Sequence, residues 1–193
     1  MIIKHKNQRV AVFIDTQNLY HSARNTYNKR VNFGTIVNDL VAGRQLVRAV
    51  AYVISSETGE ESSFFDALVK ADIETKTKDL QVFHDGSKKA DWDVSIAVDA
   101  IAMSEKLDAV ILLTGDGDFV PLVRYLQQSG VQVEAASFMK SSSAKLVESV
   151  DDFTDLSENT RKYLINKSGH NKRGRGSKQP KNQGVSYSVR RRV

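Results

Sequence analysis

Apolar residues gather along this chain in short runs that alternate with segments of helical spacing. Val10 to Ile14 (VAVFI) is an unbroken apolar run that stops abruptly at Asp15, the pattern of a strand covered on both faces. A polar turn, DTQN, then leads into a helix. Phe33, Ile36, Val37 and Leu40 recur at helical spacing and Gly43 supplies a stop, predicting a second helix from Phe33 to Ala42. LVRAVAYVI follows as the second strand. Glu61 to Ile73, with Phe64, Phe65 and Leu68, suits an amphipathic helix before a third strand, LQVFH, at residues 80–84.

Asp91 to Ser104 carries two apolar sets. Val94, Ala97, Val98 and Ile101 follow the i, i+3, i+4, i+7 rule of a buried helical stripe, with Asp91 as a candidate N-cap. Trp92, Ile96 and Met103 form the second set and suggest heavy burial. AVILLT at 109–114 is the most strand-like run, TGDGD is a turn, and Phe119, Leu122, Val123 and Leu126 mark a helix ended by Gly130. VQVEAAS is a fifth strand, followed by a short helical piece around Ser143 to Glu148 and an apolar-acidic close, VDDFTDL. Strands separated by helices predict one α/β domain over residues 9–158, three layers deep (α/β/α), around a mainly parallel sheet of about five strands. No internal repeat is evident. From residue 159 onward Lys, Arg, Gly, Ser, Asn and Gln dominate, and residues 159–193 are expected to form a disordered tail.

Charge divides at the same place. Arg161 to Val193 holds 11 Lys or Arg and no acid, which leaves 17 of the 28 basic residues against all 23 acidic ones in residues 1–160. Such a tail suits sequence-independent, salt-sensitive contact with nucleic acid, with Tyr187 available to stack; a solubilising extension is the plainer alternative. Cysteine is absent, so disulfides, thiolate nucleophiles and cysteine-ligated metals are excluded. The polar start and the lack of a long apolar run predict a cytoplasmic protein without membrane contact.

In an open parallel sheet the residues just beyond the carboxyl ends of the strands share one edge, and ligands bind where the strand order reverses. Asp15 follows VAVFI, Asp116 and Asp118 follow AVILLT, and Asp93 lies in the first turn of the helix after the third strand, so four carboxylates can converge there. Two carboxylates about 4 Å apart repel by roughly 4 kcal/mol at an effective dielectric near 20, and a hard divalent cation removes the conflict. Mg²⁺ or Mn²⁺, which favour oxygen ligands and leave room for substrate phosphate, fit this donor set. Asn18 and Thr114 can add hydrogen bonds to water or phosphate, and Gly115 and Gly117 allow a tight or positive-φ turn and close approach of a phosphate. Each Asp also has an ordinary local role. Asp15 can cap the following helix, Asp118 can cap the one at Phe119, Asp116 can form a plain turn, and either Asp91 or Asp93 can cap the helix they open. Asp99 falls on a polar stripe with Ser95 and Lys106. His21 and His84 lack a nucleophile partner at informative spacing, and Trp92 is read as core rather than as a stacking surface.

The set FIDTQN at 13–18, DWDVSIAVDA at 91–100 and LLTGDGDFVPLV at 112–123 resembles the NYN family, including the LabA-like (DUF88) proteins, over about residues 9–156. The resemblance implies a PIN-like domain with an RNase-type acidic site carried by Asp15, Asp93, Asp116 and Asp118, assisted by Asn18, with Asp99 matching a further family carboxylate. Related domains pair, which makes a homodimer an expectation. Where relatives carry Lys-Gly ahead of the acidic helix, this chain has Lys88, Lys89 and Ala90; the two lysines keep the positive charge and are candidate substrate contacts. The expected activity is Mg²⁺- or Mn²⁺-dependent endonucleolytic cleavage of RNA, with a non-catalytic RNA-binding or regulatory adaptor as the alternative. A phosphatase with Asp15 as nucleophile is disfavoured by Gln17, where such enzymes place a second Asp. A dinucleotide enzyme is disfavoured by DTQN in place of GxGxxG.

Overall fold

A computed structural model describes residues 2–55, 62–79, 81–82, 88–89 and 91–166. The first strand, β1 (Arg9–Asp15), runs straight into helix α1 (Thr16–Tyr27), so DTQN is the start of the helix rather than a turn before it. A short strand β2 (Arg30–Val31) precedes α2 (Phe33–Val41), and β3 (Gln45–Ser55) follows. Next come α3 (Ser62–Lys70), β4 (Glu74–Asp79), and the two-residue strands β5 (Gln81–Val82) and β6 (Lys88–Lys89), which pair with each other. The remainder is α4 (Asp93–Ser104), β7 (Ala109–Leu113), α5 (Val120–Gln128), β8 (Gln132–Ser137), α6 (Ala144–Ser149), β9 (Asp152–Asp155), α7 (Thr160–Tyr163) and β10 (Leu164–Ile165).

The main sheet has six strands in the order β4-β3-β1-β7-β8-β9, every neighbouring pair parallel. It is flanked by helices on both faces, as the alternation of elements predicts. Two departures concern the edges. The third strand of the main sheet is ETKTKD at 74–79, while of LQVFH only Gln81–Val82 are described, as β5, with Leu80, Phe83 and His84 outside the described residues; VDDFTDL contributes a sixth strand, β9. Edge strands need little apolar surface and are often protected by lysine, so hydrophobic runs locate them poorly. Inside the segment expected to be tail, Thr160–Tyr163 form α7 and Leu164–Ile165 form β10, which pairs with β2, and Leu164 is buried. His84, Tyr187 and residues 167–193 lie outside the described residues.

Alternate residues of the central strands feed two cores, the period-two pattern of a doubly covered sheet. Val10, Val12, Ile14, Ala49, Ala51, Ile111 and Leu113 meet α1, α2 and α3 on one face. On the other, Ala11, Phe13, Val50, Tyr52, Val110 and Leu112 meet α4, α5 and α6. Within α4 the buried stripe is Ile96, Ala100 and Ser104, with Trp92, Ala97 and Met103 half-buried beside it, whereas Val94, Val98 and Ile101 are 75%, 58% and 38% exposed. No helix among the described residues is long and apolar enough to cross a membrane.

At the amino end of the sheet the Arg44 guanidinium, fully buried, donates to both Glu134 oxygens, at 2.5 and 3.1 Å. It also donates to the Leu40 and Val41 carbonyls, which the end of α2 leaves without helical partners. Lys4 joins Glu134 to Asp152 with two contacts of 3.0 Å, so the pair ties α2, β8 and β9 together.

Candidate metal centre

Crossovers leave β1 in one direction to β3 and return on its other side to β7, so the strand order reverses between β1 and β7. That is where a parallel sheet opens a crevice at its carboxyl edge. Asp15 ends β1, the turn Thr114–Asp118 leaves β7, and Asp93 opens α4, the helix leading into β7.

One carboxylate oxygen each from Asp93, Asp116 and Asp118 lies within 4.8 Å of the others, and Asp118 is exposed. None of the ion pairs among the described residues reaches Asp15, Asp93, Asp116 or Asp118. Asp15 stands beside this group rather than in it. Its Oδ1 accepts from the Asn18 N–H at 3.1 Å, capping α1, and its Oδ2 accepts from the Thr114 hydroxyl at 3.2 Å. Burial pushes the Asp15 carboxyl up, opposed by these hydrogen bonds and reinforced by the charge of Asp116. Asp15 is therefore the N-cap of α1 and is tied through Thr114 to the turn that carries Asp116.

Local geometry assigns the remaining carboxylates. Asp91 Oδ1 accepts from the Asp93 N–H at 2.8 Å, so Asp91 serves the helix start and Asp93 is left to the crevice. Asp116 Oδ1 accepts from the Asp118 N–H at 3.0 Å, closing a 3-10 turn at Gly117–Phe119. Asp118 therefore does not cap the following helix. The Asp93 carboxyl is pushed up to about 6, first by burial and then by the charges of Asp91, Asp15 and Asp116.

A titration follows from this arrangement. Without metal, Asp93 is expected to ionise near pH 6 against an ordinary value of 3.8, because the folded state holds its proton more tightly than the unfolded chain does. Stability from this group is therefore full below pH 3.8 and is lost as the pH rises through about 6. Asp91→Asn should move the midpoint down, since one of the repelling charges is removed. Carboxyl-carbon NMR of Asp93 reads the midpoint directly, and a value near 4 in the parent protein would contradict the geometry.

Thr114 is buried, and its hydroxyl donates to Asp15 and accepts from the Asp116 N–H at 3.2 Å, so it holds the end of β1 against the turn that follows β7. Gly115 and Gly117 have no positive φ. A Cβ on Gly115 would stand 2.8 Å from Ser137 Oγ, 3.0 Å from Ser142 Oγ and 3.1 Å from the Ser141 carbonyl. One on Gly117 would stand 2.6 Å from Ser143 Oγ. The glycines admit the 137–143 segment, whose Ser143 N–H donates to the Gly115 carbonyl at 2.8 Å. Gly115→Ala should accordingly destabilise the protein by ~1–3 kcal/mol in urea unfolding, through overpacking on three sides. An unchanged midpoint would mean that the segment yields freely.

Asn18 turns its side-chain carbonyl to the Gly115 N–H at 2.9 Å, and its amide N–H₂ makes no hydrogen bond to a described residue. Lys88 and Lys89 are placed only as strand β6; their side chains are not among those described. Asp99 lies outside the oxygen group. Its Oδ2 accepts from Lys76 Nζ at 2.6 Å and from the Tyr52 hydroxyl at 2.5 Å. Burial would raise the Asp99 carboxyl, but these two partners and the charges of Lys76 and Arg48 hold it below the ordinary range. His21 is exposed and meets the Tyr20 ring edge-on at 5.5 Å. Sequence reasoning missed Tyr52 and Lys76 as partners of Asp99, although the alternation Thr-Lys-Thr-Lys at 75–78 is a period-two signal of a strand.

The fold and the crevice together define a three-layer α/β/α domain with an acidic site at its topological switch point. The sequence profile of the NYN domain matches residues 9–158, and the chain belongs to that family. It is similar to the low amplitude and bright protein LabA of Synechococcus elongatus, 26% identical over 159 residues that cover 78% of this chain and 84% of LabA. Its fold is also similar to the crystal structure of a protein of unknown function from Vibrio parahaemolyticus. That chain is 29% identical with a TM-score of 0.76, and the match covers 85% of this chain and all of that one.

Proposed function

We propose that this chain is a divalent-metal-dependent ribonuclease that hydrolyses phosphodiester bonds within RNA. The observation that carries the reading is the gathering of Asp93, Asp116 and Asp118 oxygens within 4.8 Å, with no cationic partner among the described residues. All the donors are carboxylate oxygens, so the residues fit a hard cation, Mg²⁺ or Mn²⁺, and no softer one. Asp93, Asp116 and Asp118 would hold it, with Asp15 alongside. Such an ion supplies Lewis-acid charge at the scissile phosphate and a more acidic water.

The chain's own groups do the rest. Thr114 fixes Asp15 and the Asp116 backbone in one register, so the ligand oxygens are held before substrate arrives. Asp15, raised by burial, is the proton acceptor for a water at the crevice. The Asn18 amide donates to a phosphate oxygen, Lys88 and Lys89 add positive charge, and the basic residues between Arg161 and Val193 draw RNA in from solution. RNA in the cytoplasm is the proposed substrate.

The test is incubation of the full chain with unstructured and hairpin RNAs in Mn²⁺ or in EDTA. Cleavage in Mn²⁺ alone is expected. RNAs left intact in Mn²⁺ while a control nuclease cuts them would leave the domain as an RNA-holding adaptor.

A further inference from the structure

We propose that Trp92 and Lys78 form a nucleotide subsite beside the carboxylates, in which Trp92 stacks an unpaired base and Lys78 takes the adjoining phosphate; this rests on the ribonuclease reading.

Trp92 lies between Asp91 and Asp93, so its indole is one residue from a candidate metal ligand. It is half-buried, meets Tyr52 edge-to-face with ring centroids 5.4 Å apart, and its Nε1 is a buried donor with no hydrogen-bond partner among the described residues. Lys78, from the sheet-edge strand β4, holds its ammonium 5.0 Å from the centre of the Trp92 ring and donates to the Asp91 carbonyl at 3.1 Å. Neighbouring cations are committed elsewhere, Lys76 to Asp99 at 2.6 Å and Arg48 to Glu74 at 2.6 Å. Lys78 is exposed and has no carboxylate partner among the described residues. A flexible ammonium resting on an aromatic ring is a weak contact in water, and a nucleobase laid on the same ring is a stronger one. The base therefore displaces Lys78, whose stem lets the charge swing to the next phosphate. Duplex bases, already stacked and paired, have no free face to offer, so the subsite selects single-stranded RNA.

Trp92 is the only tryptophan in the chain, which makes its fluorescence a direct reporter. The experiment titrates full-length Asp116→Asn protein, used so that RNA survives, with a 12-nucleotide oligoadenylate and with a 12-base-pair RNA duplex in Mg²⁺. The single strand should quench Trp92, and the duplex should not. Lys78→Ala should weaken oligoadenylate binding several-fold and reduce the slope of log K against log salt by about 0.7, one phosphate's share on a single strand. Trp92→Leu should lose about tenfold in affinity, with Trp92→Phe restoring most of it. Saturating RNA that leaves the fluorescence unchanged, or Lys78→Ala with parental affinity and salt slope, overturns the subsite. Because Lys78 is an exposed edge residue, its variant decides the matter even if Trp92→Leu fails to fold. Wild-type cleavage without quenching would sink the subsite alone, and quenching without wild-type cleavage would sink the ribonuclease reading alone.

Discussion

On the proposed ribonuclease reading, Asp116→Asn is expected to lower metal-dependent RNA cleavage by ~100-fold or more, because loss of one proposed ligand charge at the reacting phosphate is worth several kcal/mol and each 1.36 kcal/mol is tenfold. The substitution keeps an acceptor oxygen for the Asp118 N–H, so the 3-10 turn after β7 is retained. Removing one of the mutually repelling carboxylates should leave the metal-free protein at least as stable as its parent. Mn²⁺ should raise the parent's melting temperature through binding to the native state and raise that of the variant much less. Single-turnover cleavage and thermal melts with and without Mn²⁺ read both effects. A variant that cuts at the parental rate would remove Asp116 from the site. Equal Mn²⁺ stabilisation of both proteins would place the ion elsewhere.

Glu134→Ala is expected to cost ~3–5 kcal/mol of folding stability, since it strands the buried Arg44 guanidinium without its counter-charge. The Leu40 and Val41 carbonyls still accept from Arg44 but cannot balance it, and Lys4 loses one of its two partners. Arg44→Met combined with Glu134→Leu should be far milder, because no unpaired charge is left inside. Urea unfolding of the single and double variants measures the difference. If the single variant loses under ~1 kcal/mol, water reaches Arg44 and the pair behaves as a solvent-screened one. The site lies at the opposite end of the sheet, so cleavage by folded protein should be unaffected.

Much of this molecule is legible in one dimension. VAVFI and AVILLT are read as buried strands because a strand covered on both faces must be apolar at every position. Once two such strands are central, Asp15 and Asp116 must emerge at the same carboxyl edge, so the location of the candidate site follows from order alone. The edge strands were harder. ETKTKD is polar, as suits a strand that is the edge of the main sheet among the described residues, and β9 is short and half-buried throughout.

The sequence by itself determined the period and order of the elements, the absence of thiol chemistry and the charges that meet at the switch point. The first is a property of residues near one another in the chain, the second is one of composition, and the third follows from where Asp15 and Asp116 stand at the ends of their own strands. Only the tertiary structure decided which face of α4 is buried, because Val94, Val98 and Ile101 and the alternative set around Ile96 are equally apolar as a helical pattern. It decided the same way for Thr114, Gly115 and Gly117, whose roles depend on Asp15 and on the 137–143 serines, and for Arg44, whose partner lies 90 residues away. Burial and close approach between distant segments are set by how whole layers stack, and no local spacing records which of two acceptable faces a sheet will cover.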